Sequence, residues 1–279
     1  MYDAASRSDA TILQRAVGEL RVALRVRDGH TVLDGLRQAG CLKARFPRPE
    51  CRDWSTVVTL NTSGGIAGGD ALASSFELQP GARATIASQA AERFYRALPG
   101  SVPASVDTRI AVATGGAVEW LPQETILFDR CALDRRLEVE LAEDACFLGI
   151  ETLVFGRAAM GETVQHAWLR DRIRIRRGGT LVLNDAIRMD GEVARVLQRT
   201  AITGGASAAA TIWFIARDAE ARLDAVRAIL PDEEAAASAW NGMLVTRLLA
   251  DNAAALRLSA AAVLHVLRDG RPLPRVWLC

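Results

Sequence analysis

The chain has 279 residues, 50% hydrophobic and 24% charged, which allows a sizeable globular core. Lys plus Arg number 34 and Asp plus Glu 33, so a net +1 gives no electrostatic basis for binding nucleic acid or an anionic membrane surface. No stretch reaches the ~18 apolar residues that span a bilayer, and the polar opening MYDAASRSDAT has no apolar signal core, so the cytoplasm is the expected location.

The first predicted strand covers Leu20, Val22, Leu24 and Val26, which alternate with Glu19, Arg21, Arg25 and Arg27 and stop at Asp28-Gly29. A hairpin is expected about Pro80-Gly81, where Pro fixes φ and Gly permits a positive φ. Gly115-Gly116 marks a further break. Leu137, Val139 and Leu141 alternate with Glu138 and Glu140. Ile173 and Ile175 alternate with Arg172, Arg174 and Arg176, and 177–180 reads as a hairpin connection. From 218 the character changes. Alanine-rich, mixed-charge segments predict helices over 218–230, 232–240 and 251–268, the last with Asp251 as N-cap and Gly270 as stop. The fold class is mainly β with a helical C-terminal part. It reads as one large antiparallel β-rich domain over 1–279, β-rich over about 15–216 and helical over about 218–270.

Cys41, Cys51, Cys131, Cys146 and Cys279 are odd in number and lack a C-x-x-C spacing, so neither a disulfide framework nor a zinc site is signalled. His30, His166 and His265 have no partner at ligand spacing. The densest cluster of unusual residues is NTSGGIAGGD (61–70). Its glycines point to positive φ or close backbone approach. It lacks the Lys-Ser/Thr of a phosphate loop and the dinucleotide spacing. Local physics favours a tight turn ending in a capping Asp70. No hydrolase elbow, zinc-protease helix or kinase motif occurs.

Four blocks then appear in order: SGGIAGGD (63–70), SQAAERFYRA (88–97), EWLPQETILFD (119–129) and GRAAMGE (156–162), with LPRVW (273–277) at the close. In these the chain resembles the urease accessory protein called D in most bacteria and H in some. The likeness covers nearly the whole chain. Mild departures are Ala87-Ser88 for a Thr-Thr pair, Arg93 for Lys and Asn61 where His is common.

The resemblance implies a nickel-delivery chaperone that is not an enzyme. Its partners would be apo-urease and accessory proteins F and G, with G the GTPase. It implies transient nickel in a water-filled passage and no tightly bound cofactor. A nickel path needs water and weakly held oxygen ligands, since thiolate clusters would trap the ion. Asp70, Glu92, Glu124, Glu151 and Glu162 lie in or near the blocks, and Asp70 and Glu162, in the two glycine-rich ones, are the expected transient nickel ligands. Each also reads as a cap, a turn ligand or an ion pair. For Glu92 and Glu124, pairing with Arg93, Arg96 or Arg130 is the favoured reading. Trp120, Trp277, Phe94 and Tyr95 are either interface anchors or core. Two other readings stay open: an enzyme binding a phosphorylated ligand at 61–70, and a scaffold with no metal in its interior.

Overall fold

The computed structural model describes residues 14–48, 51, 53–157, 160–231 and 234–278. The polar opening segment and Cys279 lie outside them. Two sheets face each other. The seven-stranded sheet runs β14 (Thr180–Glu192), β13 (His166–Arg177), β11 (Ala132–Leu141), β8 (Ala104–Val112), β5 (Ala71–Leu78), β1 (Val17–Arg27), β2 (His30–Gly40). The ten-stranded sheet runs β16 (Ala235–Trp240), β17 (Met243–Ala250), β15 (Ala208–Ile215), β12 (Cys146–Phe155), β9 (Ala117–Leu121), β6 (Arg83–Ser88), β4 (Ser55–Asn61), β3 (Leu42–Arg45). In the same sheet β10 (Thr125–Leu127) joins β12 to β7 (Glu92–Phe94).

The expected antiparallel architecture is corrected here, because the sheets are mixed. In the seven-stranded sheet β1, β5, β8, β11 and β13 pair in parallel, and in the other so do β4, β6, β9 and β12. Antiparallel pairs flank these blocks. The turn at Pro80-Gly81 is real but makes no hairpin. It carries the chain from β5 in one sheet to β6 in the other, and Gly115-Gly116 does the same between β8 and β9. Within the parallel blocks each strand therefore pairs with the strand one coil later. The corners stack too: Gly81 N donates to Thr114 O at 2.9 Å and Cys146 N to Gly116 O at 3.0 Å. The hairpin at Gly178-Gly179 is formed as expected, and the stop at Asp28-Gly29 is the turn of another hairpin, between β1 and β2.

Burial follows from this arrangement. The outward face of β11 and β13 carries partly exposed charges, so these parallel strands alternate as half-buried ones do. The Arg172, Arg174 and Arg176 stripe is such a face, with Arg172 on Asp134 at 2.5 Å and Arg176 near Glu140 at 3.7 Å. β12 instead is buried along nearly its whole length. Phe147, Leu153 and Phe155 enter the core between the sheets, while Leu148, Ile150 and Val154 enter a second core with the C-terminal helix.

The C-terminal part is less helical than expected. The segment 218–230 forms a 3-10 turn at Glu220–Arg222 and a short α2 (Leu223–Arg227), α1 (Val193–Leu197) having come earlier. The described part of 232–240 is a strand, β16. Asn241-Gly242 explains it: both residues have positive φ, 51° and 72°, and they join β16 to β17 as a two-residue hairpin. Strand pairing with the buried β17 overrides the alanine preference for helix. The long helix is present as α3 (Ala253–Leu267), capped one residue later than expected by Asn252, whose Oδ1 accepts from Ala255 N at 2.9 Å.

The chain end is latched onto the second sheet. Trp277 Nε1 donates to Leu121 O at 3.0 Å, and Gln123 Nε2 to Val276 O at 2.5 Å. Just past α3, the Arg268 guanidinium meets the Glu119 carboxylate at 3.0 Å, with 4% and 2% of their side chains exposed. Arg271 adds a second contact to Glu119 at 2.5 Å, and Thr85 Oγ1 donates to it at 2.5 Å. Removing one partner of a buried pair strands the other. Arg268→Ala is expected to lower unfolding free energy by about 3 kcal/mol, read from urea denaturation of the full chain. The combined replacement of Glu119 by Leu and Arg268 by Met is expected to cost less than the single change. Equal costs would show that the charge of Glu119 is not what the latch satisfies.

Candidate functional site

Alternation along β11 puts Leu133, Arg135, Leu137, Val139 and Leu141 on the inward face. Along β13 it puts Ala167, Leu169, Asp171, Ile173 and Ile175 there. A cation and an anion thus stand in two apolar rows of one sheet, and β12 of the opposite sheet supplies Glu151, which is 8% exposed.

These three meet. Arg135 Nε donates to Asp171 Oδ1 at 3.0 Å and its Nη2 to Oδ2 at 2.5 Å, a bidentate pair. Its Nη1 lies 2.6 Å from Glu151 Oε2 and donates to Thr125 Oγ1 at 2.9 Å. Trp120 Nε1 donates to Glu151 Oε1 at 2.9 Å. Burial works against the charge of Arg135, but Asp171 and Glu151 outweigh it and hold its pKa above the ordinary value. Burial pushes the Glu151 carboxyl upward, opposed by Arg135 and reinforced by Asp171.

Two cavities adjoin this cluster. The larger, about 300 Å³, is lined by Arg135, Glu151, Thr125 and Trp120 inside and by Asn61, Gly64, Gln89 and Arg93 toward the surface. The smaller, about 40 Å³, is lined by Glu151, Asp171, Asp185 and Trp213 among others. It has room for about one or two waters. Trp213 is 1% exposed and its Nε1 has no hydrogen-bond partner, so a polar donor is left unsatisfied beside the small cavity. Glu151 is common to both cavities. Asp185, bound to Arg247 at 2.9 Å, stands where the small one nears the surface.

Glu92 lines the large cavity. It does not take an arginine as expected: Asn61 Nδ2 donates to its two oxygens at 3.2 and 3.1 Å. Burial raises its pKa against that hydrogen bond. Glu124 takes Arg257 at 3.3 Å rather than Arg93, Arg96 or Arg130. The Gly-rich block forms the rim. Gly65 has φ 143°, and a Cβ there would collide with the Tyr95 ring, whose hydroxyl donates to Gly64 O at 2.7 Å.

Asp70 and Glu162 sit apart from the interior cluster. Asp70 is buried, and its two oxygens accept from Ala16 N and Ala67 N, both at 2.8 Å, so it ties β1 to the Gly-rich turn. It also lines an open cleft with Cys41, Ser63 and Tyr95. Glu162 pairs with Arg157 at 2.6 Å, and that guanidinium lies over the Phe128 ring at 4.2 Å. Phe94 and Trp277 are core residues, while Trp120 and Tyr95 are half-buried. Among the described residues no three His, Cys, Asp or Glu side chains converge as a metal-holding group. None of the described helices is long and apolar enough to cross a membrane.

Fold and site together define a two-sheet β scaffold with an ion cluster at its centre. The chain belongs to the UreD urease accessory protein family, whose model matches residues 16–278. It is 48% identical over 267 residues to the urease accessory protein UreD of Dinoroseobacter shibae, covering 95% of this chain and 93% of that one. It is 43% identical to that of Rhodopseudomonas palustris, over 95% and 94% of the two chains, and 42% identical to that of Xanthobacter autotrophicus, over 98% and 93%. Membership gives it a general role in urease maturation.

The raised Glu92 pKa has a consequence for stability. The unfolded chain releases this proton at a lower pH than the folded one, so the contribution of Glu92 is full below the ordinary carboxylate range and is lost as pH rises through its folded pKa. Glu92→Gln is therefore expected to match wild type in acid and exceed it progressively at higher pH, in urea midpoints measured across the series. A gap that does not change with pH would show that Glu92 does not titrate differently in the fold.

Proposed function

We propose that this protein is a non-catalytic nickel-delivery scaffold. It joins apo-urease to accessory proteins F and G in the cytoplasm and conducts Ni²⁺ toward the urease active site. The observation that carries the reading is the charge of the interior cluster: two buried carboxylates, Glu151 and Asp171, share one guanidinium. Burying excess negative charge is costly unless something cationic visits it. Cavities on either side of Glu151 give such a visitor room to be hydrated beside the carboxylates.

Carboxylate, hydroxyl and water suit an ion that is passed on rather than stored. Glu92 and Asn61 supply oxygens in the outer part of the large cavity, Thr125 and Glu151 do so within it, and Asp171 does so on the small one. Nickel is cargo here, with no resident site required. Asp70 shapes the rim through the Gly-rich turn, and it and Glu162 serve as outer transient ligands.

The test is urease activation in cells holding all other urease genes, with this chain wild-type, deleted or altered. Glu151→Gln and Asp171→Asn are each expected to lower activation about tenfold or more while pull-down of F, G and apo-urease is unchanged. Asp70→Ala and Glu162→Ala are expected to give smaller losses with assembly intact. Normal activation by Glu151→Gln would sink the interior path and leave a scaffold acting by contact alone.

A further inference from the structure

Arg135 occupies the position that a passing cation would need. It holds both oxygens of Asp171 and one of Glu151, and among the described residues it alone donates to Asp171. Glu151 walls both cavities, while Asp171 faces only the small one. The contact between Arg135 and its two carboxylates therefore stands where one cavity gives way to the other. The Trp213 Nε1 donor on the small cavity suits a water rather than the ion itself, so that water would hydrate a cation passing there.

We propose that Arg135 is an exchange gate: a tethered cation that keeps Glu151 and Asp171 paired at rest and withdraws into the large cavity when a divalent cation takes its place. This rests on the transit reading above and assigns the step that controls it. Space exists on the correct side, since Arg135 itself lines the large cavity and Thr125 and Glu92 line it too. The guanidinium stays charged through the exchange, so Arg135 itself gives up no proton. Charge explains why the exchange selects divalent ions. With Arg135 in place and both carboxylates ionised, one negative charge is unmatched, a cost to which the upward push on the buried Glu151 carboxyl belongs. A monovalent cation replacing Arg135 restores the same imbalance, whereas a divalent ion neutralises the pair. When the ion leaves, the returning guanidinium re-forms three contacts at once, so the carboxylates are not left bare and the ion is not held.

The gate predicts trapping when the tether is lost. Full-length protein would be loaded with NiCl₂, desalted, and its retained nickel measured by atomic absorption. Arg135→Met is expected to retain about one equivalent more than wild type, and adding Glu151→Gln is expected to abolish the gain. Arg135→Lys keeps the charge without the bidentate hold. It covers the case in which Arg135→Met does not fold, and it is expected to retain more nickel than wild type. Retention by Arg135→Lys and by any folded Arg135→Met equal to wild type would overturn the gate. The transit reading is tested separately by Glu151→Gln in urease activation. Nickel trapping together with normal activation by that variant would uphold the exchange and remove it from the delivery path.

Discussion

The bidentate pair of Arg135 and Asp171, with Glu151 reaching across from the facing sheet, is the constraint around which the interior is arranged. A guanidinium buried between two sheets is tolerable only with its donors occupied, and here the occupants come from β10, β12 and β13. The parallel coil makes this possible. It sets β11 beside β13 in register, Arg135 opposite Asp171, and lays β12 against them from the other sheet. A well-packed apolar trio would be at least as stable in such a place. What the charges add is polarity beside cavities, and the maturation role of the family gives that polarity a use.

The strands were legible in the sequence, but their pairing was not. Period-two alternation in β1, β11 and β13 identified the elements and their buried faces. Frequent turn residues between the strands, with no alternating βαβ units, suggested antiparallel pairing, and parallel strands are usually buried on both sides. Here the seven-stranded sheet leaves its outer face to charged side chains, so its parallel strands alternate. A Pro-Gly turn looks the same whether it closes a hairpin or rounds a corner between sheets, and only the tertiary arrangement separates the two. By contrast, Asn241-Gly242 carried a readable hairpin signal that alanine propensity in 235–240 obscured.

The site was partly legible. The motif blocks pointed to the correct family and brought Glu92 and Glu151 into view. Arg135 and Asp171 lie outside the blocks, and their signal was of another kind: a charge on the inward face of an otherwise apolar alternation, next to Leu133 and Leu137 or Leu169 and Ile173. Asp70 drew attention through its glycines, yet those glycines serve a turn whose backbone N–H it accepts. Local composition reports the strain of a loop more directly than it reports which carboxylates lie beside a cavity.

The attachment of the chain end to Glu119 sets an order of events during synthesis. Arg268 is separated from Glu119 by 149 residues and Trp277 from Leu121 by 156. Until residues 268–277 are in place, the Glu119 carboxylate on β9 lacks its arginine partners and the Leu121 carbonyl lacks the Trp277 indole. A central strand of the second sheet is thus completed by residues that lie about 150 positions later in the chain. A nascent or clipped chain lacking α3 and the segment after it exposes the apolar side of β15 and β17, a surface that holdase chaperones and proteases recognise. Quality control of the scaffold is in this way written into α3 and the segment that follows it.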